Sequence, residues 1–231
     1  MRRGLIVGGA AVALVVAIGG AGAMLIGSHQ SPPRLALGSP TPAGSASDLV
    51  GRWKVGSGSE AGYRVREQFI NQPAPTEAVA RTSHVAGGLN VVAAAGALRV
   101  TNVQVTVDLA SLQSQDRYAT YQVYQRDFFI RTIYLETNQY PAAEFKAGSV
   151  SLPSGPLSGT ITLSVSGKLT VHGVSRDVTT KLQVQRSGAG LEVVGSIDVD
   201  MRDYGVEVPS IAFTKAEPGV VIEYHLLLVR G

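Results

Sequence analysis

The side chains able to do chemistry are few in this chain. Its 231 residues include no cysteine and only four histidines, His29, His84, His172 and His225. Without cysteine there is neither a disulfide nor a thiolate metal ligand. No two histidines have the spacing that sets both toward one zinc ion from a single element. Asp198 and Asp200 share a strand face, with Asp203 close behind. Calcium, however, takes about six to eight oxygens from a shaped loop, and no such loop motif is present. There is also no G-x-S-x-G elbow, no phosphate-cradling glycine loop and no HExxH. These absences predict a non-catalytic protein with no cofactor and no metal.

Three polar positions have a specific reading. Arg126, beside Asp127, has the guanidinium fork that suits a pyrophosphate or carboxylate head group; the same pair could instead brace its segment by hydrogen bonds. His172 precedes Gly173 after a long strand, so it belongs to a tight turn and is either a head-group contact or a turn residue. Glu67 shares parity with Tyr63, Val65 and Phe69, which predicts an inward carboxylate. Burying that charge is costly unless it is paired. It therefore sits at a mouth, meets an arginine, or marks a bulge.

The elements that must position these groups read as strands. From Thr160 to Val171, Ile161, Leu163, Val165, Leu169 and Val171 alternate with polar residues, and Gly167 keeps the beat. Successive side chains of a strand point to opposite faces, so this strand has one dry face and one wet face. The same beat puts Val103, Val105, Val107 and Leu109 on one face, then Val178, Thr180, Leu182 and Val184. Further on come Leu191, Val193, Ile197 and Val199 around Gly195, and finally Val220, Ile222, Tyr224, Leu226 and Leu228. Ser154-Gly155-Pro156, Ser187-Gly188-Ala189-Gly190 and Glu217-Pro218-Gly219 read as turns. Ala110 to Asn138 loses the beat. Phe129, Ile133 and Tyr134 are spaced like one side of a helix, which predicts a short helical insert. Sequential strands with short turns fit an up-and-down barrel, with a sandwich as the alternative. Eight strands enclose just enough space for side chains or one small ligand. An interior of Val, Ile and Leu leaves room for a slender apolar guest, or packs itself solid.

The N-terminus reads differently. Met1 to Gly4 carries Arg2 and Arg3, and Leu5 to Gly27 is an uncharged run of 23 residues. At about 1.5 Å per residue it can cross a hydrocarbon core of about 30 Å. Arginines before the run keep the N-terminus cytoplasmic and export the chain beyond it. The expectation is a single-pass transmembrane anchor with the C-terminal domain outside the cytoplasm. The alternative is a signal segment cleaved near Ala21-Gly22-Ala23 and a secreted product. Residues 28–48, with Pro32, Pro33, Pro40 and Pro42, read as an extended or flexible linker in which His29 is solvated. The folded domain then spans 49–231. The net charge is +3, and four arginines lie in the first 52 residues. The remainder has no basic cluster of the kind a nucleic acid would need.

Four segments resemble one family. They are Ser59-Glu60-Ala61-Gly62-Tyr63-Arg64-Val65-Arg66-Glu67; Arg126-Asp127-Phe128-Phe129 with Leu135 and Tyr140-Pro141-Ala142-Ala143-Glu144-Phe145; Gly167-Lys168-Leu169-Thr170-Val171-His172-Gly173-Val174-Ser175-Arg176; and Asp203-Tyr204-Gly205-Val206 with Pro209. Together they resemble the YceI-like family of bacterial polyisoprenoid-binding proteins, over roughly Val50 to Arg230. The resemblance implies an all-β fold, an antiparallel lipocalin-like barrel with a helical insert. It also implies an elongated apolar pocket for an isoprenoid or similar amphiphilic lipid, in a periplasmic or secreted protein. The chain departs from the family by its anchor-like N-terminus. It also has Asp116-Arg117-Tyr118 where many members have an Arg-Asp-x-His run.

Patterning and resemblance together predict a lipid-binding wall of Val65, Phe69, Val103, Val105, Val107, Leu163, Val165, Leu182, Ile197, Ile222 and Tyr224. Phe128, Phe129 and Ile133 are the expected lid, and Arg126 and His172 the head-group contacts. The rival expectations are an envelope interaction module with a filled barrel, and an enzyme acting on a lipid or quinone.

Overall fold

The computed structural model describes residues 29–40, 46–70, 72–94, 97–118, 123–153, 159–211 and 213–231. The expected turn Ser154-Gly155-Pro156 and the apolar run Leu5 to Gly27 lie outside the described residues. Among the described residues no helix is long and apolar enough to cross a membrane.

The strands are, in chain order, β1 (His29–Gln30), β2 (Gly51–Val55), β3 (Glu60–Phe69), β4 (Thr76–Thr82), β5 (Val85–Ala94), β6 (Ala97–Asp108), β7 (Gln113–Ser114) and β8 (Arg117–Tyr118). After the insert come β9 (Ala142–Ser151), β10 (Ile161–Val171), β11 (Val174–Ser187), β12 (Gly190–Asp200), β13 (Ser210–Ile211) and β14 (Thr214–Arg230). The main strands pair antiparallel in the ring β14–β12–β11–β10–β9–β6–β5–β2 and back to β14, a closed barrel of eight strands. Closure removes the sheet edges that an open antiparallel sheet of this size would expose.

β3 and β4 extend the barrel as a flank. β14 pairs β2 through Leu228↔Val55 and β3 through His225↔Glu60, so β2 and β3 follow one line along β14. β4 covers the outer edge of β3, and the short β7 caps β4.

The hairpin turns are those the residue types demand. β10 and β11 are joined by His172 and Gly173, with φ of 51° and 73°. Two successive residues at positive φ are the signature of the type I′ turn, whose twist matches the strands it connects. Gly188-Ala189 joins β11 to β12 as expected.

Glu217-Pro218-Gly219 is not a turn. β14 continues through it, and the register against β3 jumps between Ala216↔Glu67 and Val220↔Val65. Proline has no N–H for the ladder and is tolerated in a strand at a bulge, so the turn-forming triplet is absorbed as one.

The insert holds a 3-10 turn (Leu109–Ser111), then β7 and β8, then a helix, α1 (Val123–Phe129), that runs into a π-helical turn over Ile130–Tyr134. That turn closes with the Leu135 N–H donating to the Ile130 carbonyl at 2.8 Å. It rotates the side chains out of helical phase. Phe129 and Tyr134 are half-buried, whereas Ile133 is 56% exposed. The three do not share one buried face.

Candidate ligand-binding site

The inward residues of the barrel enclose an apolar cavity of about 190 Å³. Nine of the expected wall residues line it: Val103, Val105, Val107, Leu163, Val165, Leu182, Ile197, Ile222 and Tyr224. Leu49 lines one end and packs with Trp53, Val91, Val193, Leu226 and Leu228 into a buried cluster. The Trp53 indole donates to the Leu49 carbonyl at 2.8 Å, and the Arg230 guanidinium lies 4.4 Å from its ring centre. The other end is bounded by Leu169, Ile197, Tyr204 and Val206.

Two glycines keep the space open. A Cβ on Gly195 would stand 2.3 Å from the Tyr224 hydroxyl and 2.9 Å from the Leu182 Cβ. The bare backbone lets the Tyr224 ring lie flat across β12, its directly paired neighbour, with its hydroxyl 2.6 Å from the Thr180 Oγ1. A Cβ on Gly167 would likewise stand 2.6 Å from the Phe145 ring. Both aromatic rings of the lining are thus pressed against the wall. Burial pushes the Tyr224 phenol up to about 12, with the Thr180 hydrogen bond opposing, so it stays protonated at neutral pH.

Five expected ligand contacts lie elsewhere. Val65 and Phe69 sit on the flank, where β3 has left the ring. Phe69 is 1% exposed and packs edge-on against Tyr118 at 5.5 Å and stacked with Phe213 at 6.5 Å. Phe128 and Ile133 face outward, and Phe129 meets Phe128 at 5.7 Å; none of the three lines the cavity.

Arg126 and His172 also bond to protein groups. Arg126 forks onto Asp116, reaches the Glu67 Oε1 at 3.3 Å and donates to the Ser114 Oγ. Asp127 accepts from the Ser114 N–H at 2.9 Å and from its hydroxyl. The pair therefore braces α1 against β7. His172 hydrogen-bonds Glu136 at 2.7 Å, with its ring 4.4 Å from that of Tyr140.

Glu67 is paired, as its inward parity requires. Besides Arg126, the Tyr118 hydroxyl donates to it. Burial holds its carboxyl above the usual value of 4.5, against the lowering effects of Arg126 and of the Tyr118 hydrogen bond. Asp116, 1% exposed, completes the cluster by accepting from the Val79 N–H at 3.1 Å. His29, expected in solvent, lies here as well. β1 pairs β8, and the imidazole sits 4.5 Å from the Tyr118 ring and 3.5 Å from Asp116.

The Pro-rich segment 29–40 lies as a strap across the outside of the flank. Arg64, 3% exposed, donates to Glu223 at 2.8 Å, Glu77 at 3.2 Å, and the carbonyls of Pro32 and Pro33 at 2.8 and 2.7 Å. Arg81 joins Glu223 and Pro33. Farther along, Glu192 accepts from the Gly38 N–H at 2.9 Å, from Gln185 at 2.9 Å, and meets the His225 imidazole at 2.7 Å. Burial pushes the Glu192 carboxyl up, but these three hydrogen bonds outweigh it and hold it below its usual value. Arg64, Glu223, Glu192 and His225 have the parity of solvent-facing strand residues. The strap meets Arg64 and Glu192 directly, and nothing in the sequence pairs it with them. Among the cavity residues missed, Phe145 had a signal, because the glycine at 167 on the neighbouring inward row marks a seat for its ring.

Residues 57–227 match the model of the YceI-like domain. Among solved structures, a polyisoprenoid binding domain from Saccharophagus degradans implicated in plant cell wall breakdown is 18% identical. The match covers 78% of this chain and 98% of that one, with a TM-score of 0.54. BcnA of Burkholderia cenocepacia is 20% identical over 72% of this chain and 96% of its own, with a TM-score of 0.48. The YCEI protein of Campylobacter jejuni is 13% identical over 69% and 83%, with a TM-score of 0.37. Comparison with curated proteins gives no match.

Proposed function

The chain belongs to the YceI-like domain family, and from that premise we propose that it binds a long isoprenoid or similar amphiphilic lipid inside the barrel. The domain sits outside the cytoplasm, tethered by Leu5–Gly27. The observation that carries the binding reading is the unfilled apolar cavity of about 190 Å³. One water needs about 10–15 Å³ on this measure, so the space takes roughly a dozen water-sized groups, and a methylene is of similar size. At about 0.8 kcal/mol per buried methylene, a dozen give roughly 10 kcal/mol before the cost of ordering the chain. The solved relative from Saccharophagus degradans is described as a polyisoprenoid binding domain, which agrees with a prenyl guest. The tether rests on the length and charge pattern of the N-terminal run.

Binding without catalysis fits the lining. Its one phenol is hydrogen-bonded to Thr180, and the described lining residues offer no nucleophile beside a base. Native mass spectrometry of the intact chain, purified in mild detergent, tests the reading. A retained adduct of prenyl-lipid mass, or uptake of added farnesol, is expected. A bare chain that takes up no isoprenoid would overturn it.

A further inference from the structure

We propose that the insert end of the barrel docks onto the surface of a phospholipid bilayer through Tyr124, Phe128 and Ile133, with Ile70 beside them. This rests on the reading of Leu5–Gly27 as a membrane tether.

The four side chains are 61%, 56%, 56% and 73% exposed. Tyr124 and Phe128 are four residues apart on α1, and so lie on one face. The opposite face is fixed to the protein, because Arg126 between them is locked onto Asp116 and Glu67. Ile70 follows Phe69, whose ring touches Tyr118, and the Tyr118 hydroxyl bonds Glu67. Tyr124 and Phe128 thus share a face pinned from beneath by a buried cluster, with Ile133 on the turn that continues α1 and Ile70 one residue past the strand that carries Glu67.

The sequence just before His29 says what should cover this tip. His29 pairs with Tyr118 and shares Asp116 with Arg126. Only Ser28 separates His29 from the uncharged run. One residue spans at most about 3.6 Å, so a bilayer holding Leu5–Gly27 has its interface at this tip. The strap then leads away from it toward Glu192, and Leu49 packs at the far end. Aromatic and aliphatic side chains on a short amphipathic face are the groups that sink about 5–10 Å into a bilayer interface. Docking brings the barrel end bounded by Leu169 and Ile197 against the lipid that would enter it.

The absence of cysteine allows a clean test. Full-length Ile133→Cys and Val229→Cys chains, each carrying an environment-sensitive fluorophore, are reconstituted into phosphatidylcholine vesicles containing nitroxide-labelled lipid. The label at 133 should be quenched about threefold or more relative to that at 229, the depth expected of an interfacial face. Adding Tyr124→Ser and Phe128→Ser to the 133-labelled chain should bring quenching down to the level at 229. Equal quenching at 133 and 229 in chains that float with the vesicles would overturn docking and leave the tether intact. Chains that do not float would overturn both. A label at 133 that is shielded without quenching would assign the face to a second copy and overturn the proposal. Loss of farnesol uptake with docking retained would strike the lipid-carrier reading instead.

Discussion

The interior of the tube and the outer flank under the strap meet along one strand, β14, and solve burial in different ways. Ile222, Tyr224, Leu226 and Leu228 face the cavity. Their odd-numbered neighbours Glu223 and His225 face outward, where Arg64, Arg81 and Glu192 engage them. The flank is polar and densely paired: Arg64 and Arg81 share Glu223, Arg64 also reaches Glu77, and strap carbonyls accept from both arginines. The interior is not. An apolar void forfeits dispersion contacts but strands no hydrogen bond, so the barrel tolerates empty space on the side where the lining hydroxyls of Tyr224 and Thr180 already bond each other. Vacancy on that side is also what a guest requires.

The severest challenge to this contrast is the removal of Glu223. Glu223→Ala leaves Arg64 and Arg81 buried without their shared carboxylate, and should cost about 3–5 kcal/mol in chemical denaturation of the intact chain. A cost near that of an exposed pair, about 0–1 kcal/mol, would show the flank to be wet. Gly195→Ala comes next. Its methyl forces the Tyr224 ring inward, and overpacking of this kind should cost about 1–3 kcal/mol while weakening farnesol binding. An unchanged melt with unchanged binding would mean that the ring is not seated where described.

The smallest effects are in pH dependence, and their signs differ between two buried carboxyls outside the tube, Glu192 and Glu67. Glu192 has a lowered carboxyl, so its contribution is present above the unfolded value near 4.5 and is lost as pH falls through the folded one. Glu67 has a raised carboxyl. The native state then holds the proton longer than the unfolded state, and stability falls as pH rises from 4.5 through the folded value. Stability measured across that range should lose its acid-side decline in Glu192→Gln and its opposing slope in Glu67→Gln. Same-sign changes would contradict the assignment.

Much of the interior was legible because a period of two is a direct imprint of one dry face. Val103, Val105, Val107, Leu163, Val165, Leu182, Ile197, Ile222 and Tyr224 were all found by alternation, and all line the cavity. Val65 and Phe69 alternate just as well, yet β3 lies on the flank, and parity alone does not say which core a dry face covers. The outer face was illegible for a related reason. Arg64 and Glu223 look like ordinary wet positions until a proline-rich segment from elsewhere in the chain is laid over them. In the insert, the π-helical turn changed the phase that the spacing of Phe129 and Ile133 assumed.

Whether the cavity is the lipid site is decided by filling it. Val165 is buried against the void and paired with Thr180 across β10 and β11, so a Val165→Trp indole occupies the guest's space. Farnesol binding to the intact chain, titrated alongside its thermal melt, should weaken at least about tenfold, or roughly 1.4 kcal/mol, with the melt still cooperative. Undiminished affinity in a folded Val165→Trp chain would place the lipid somewhere other than the barrel.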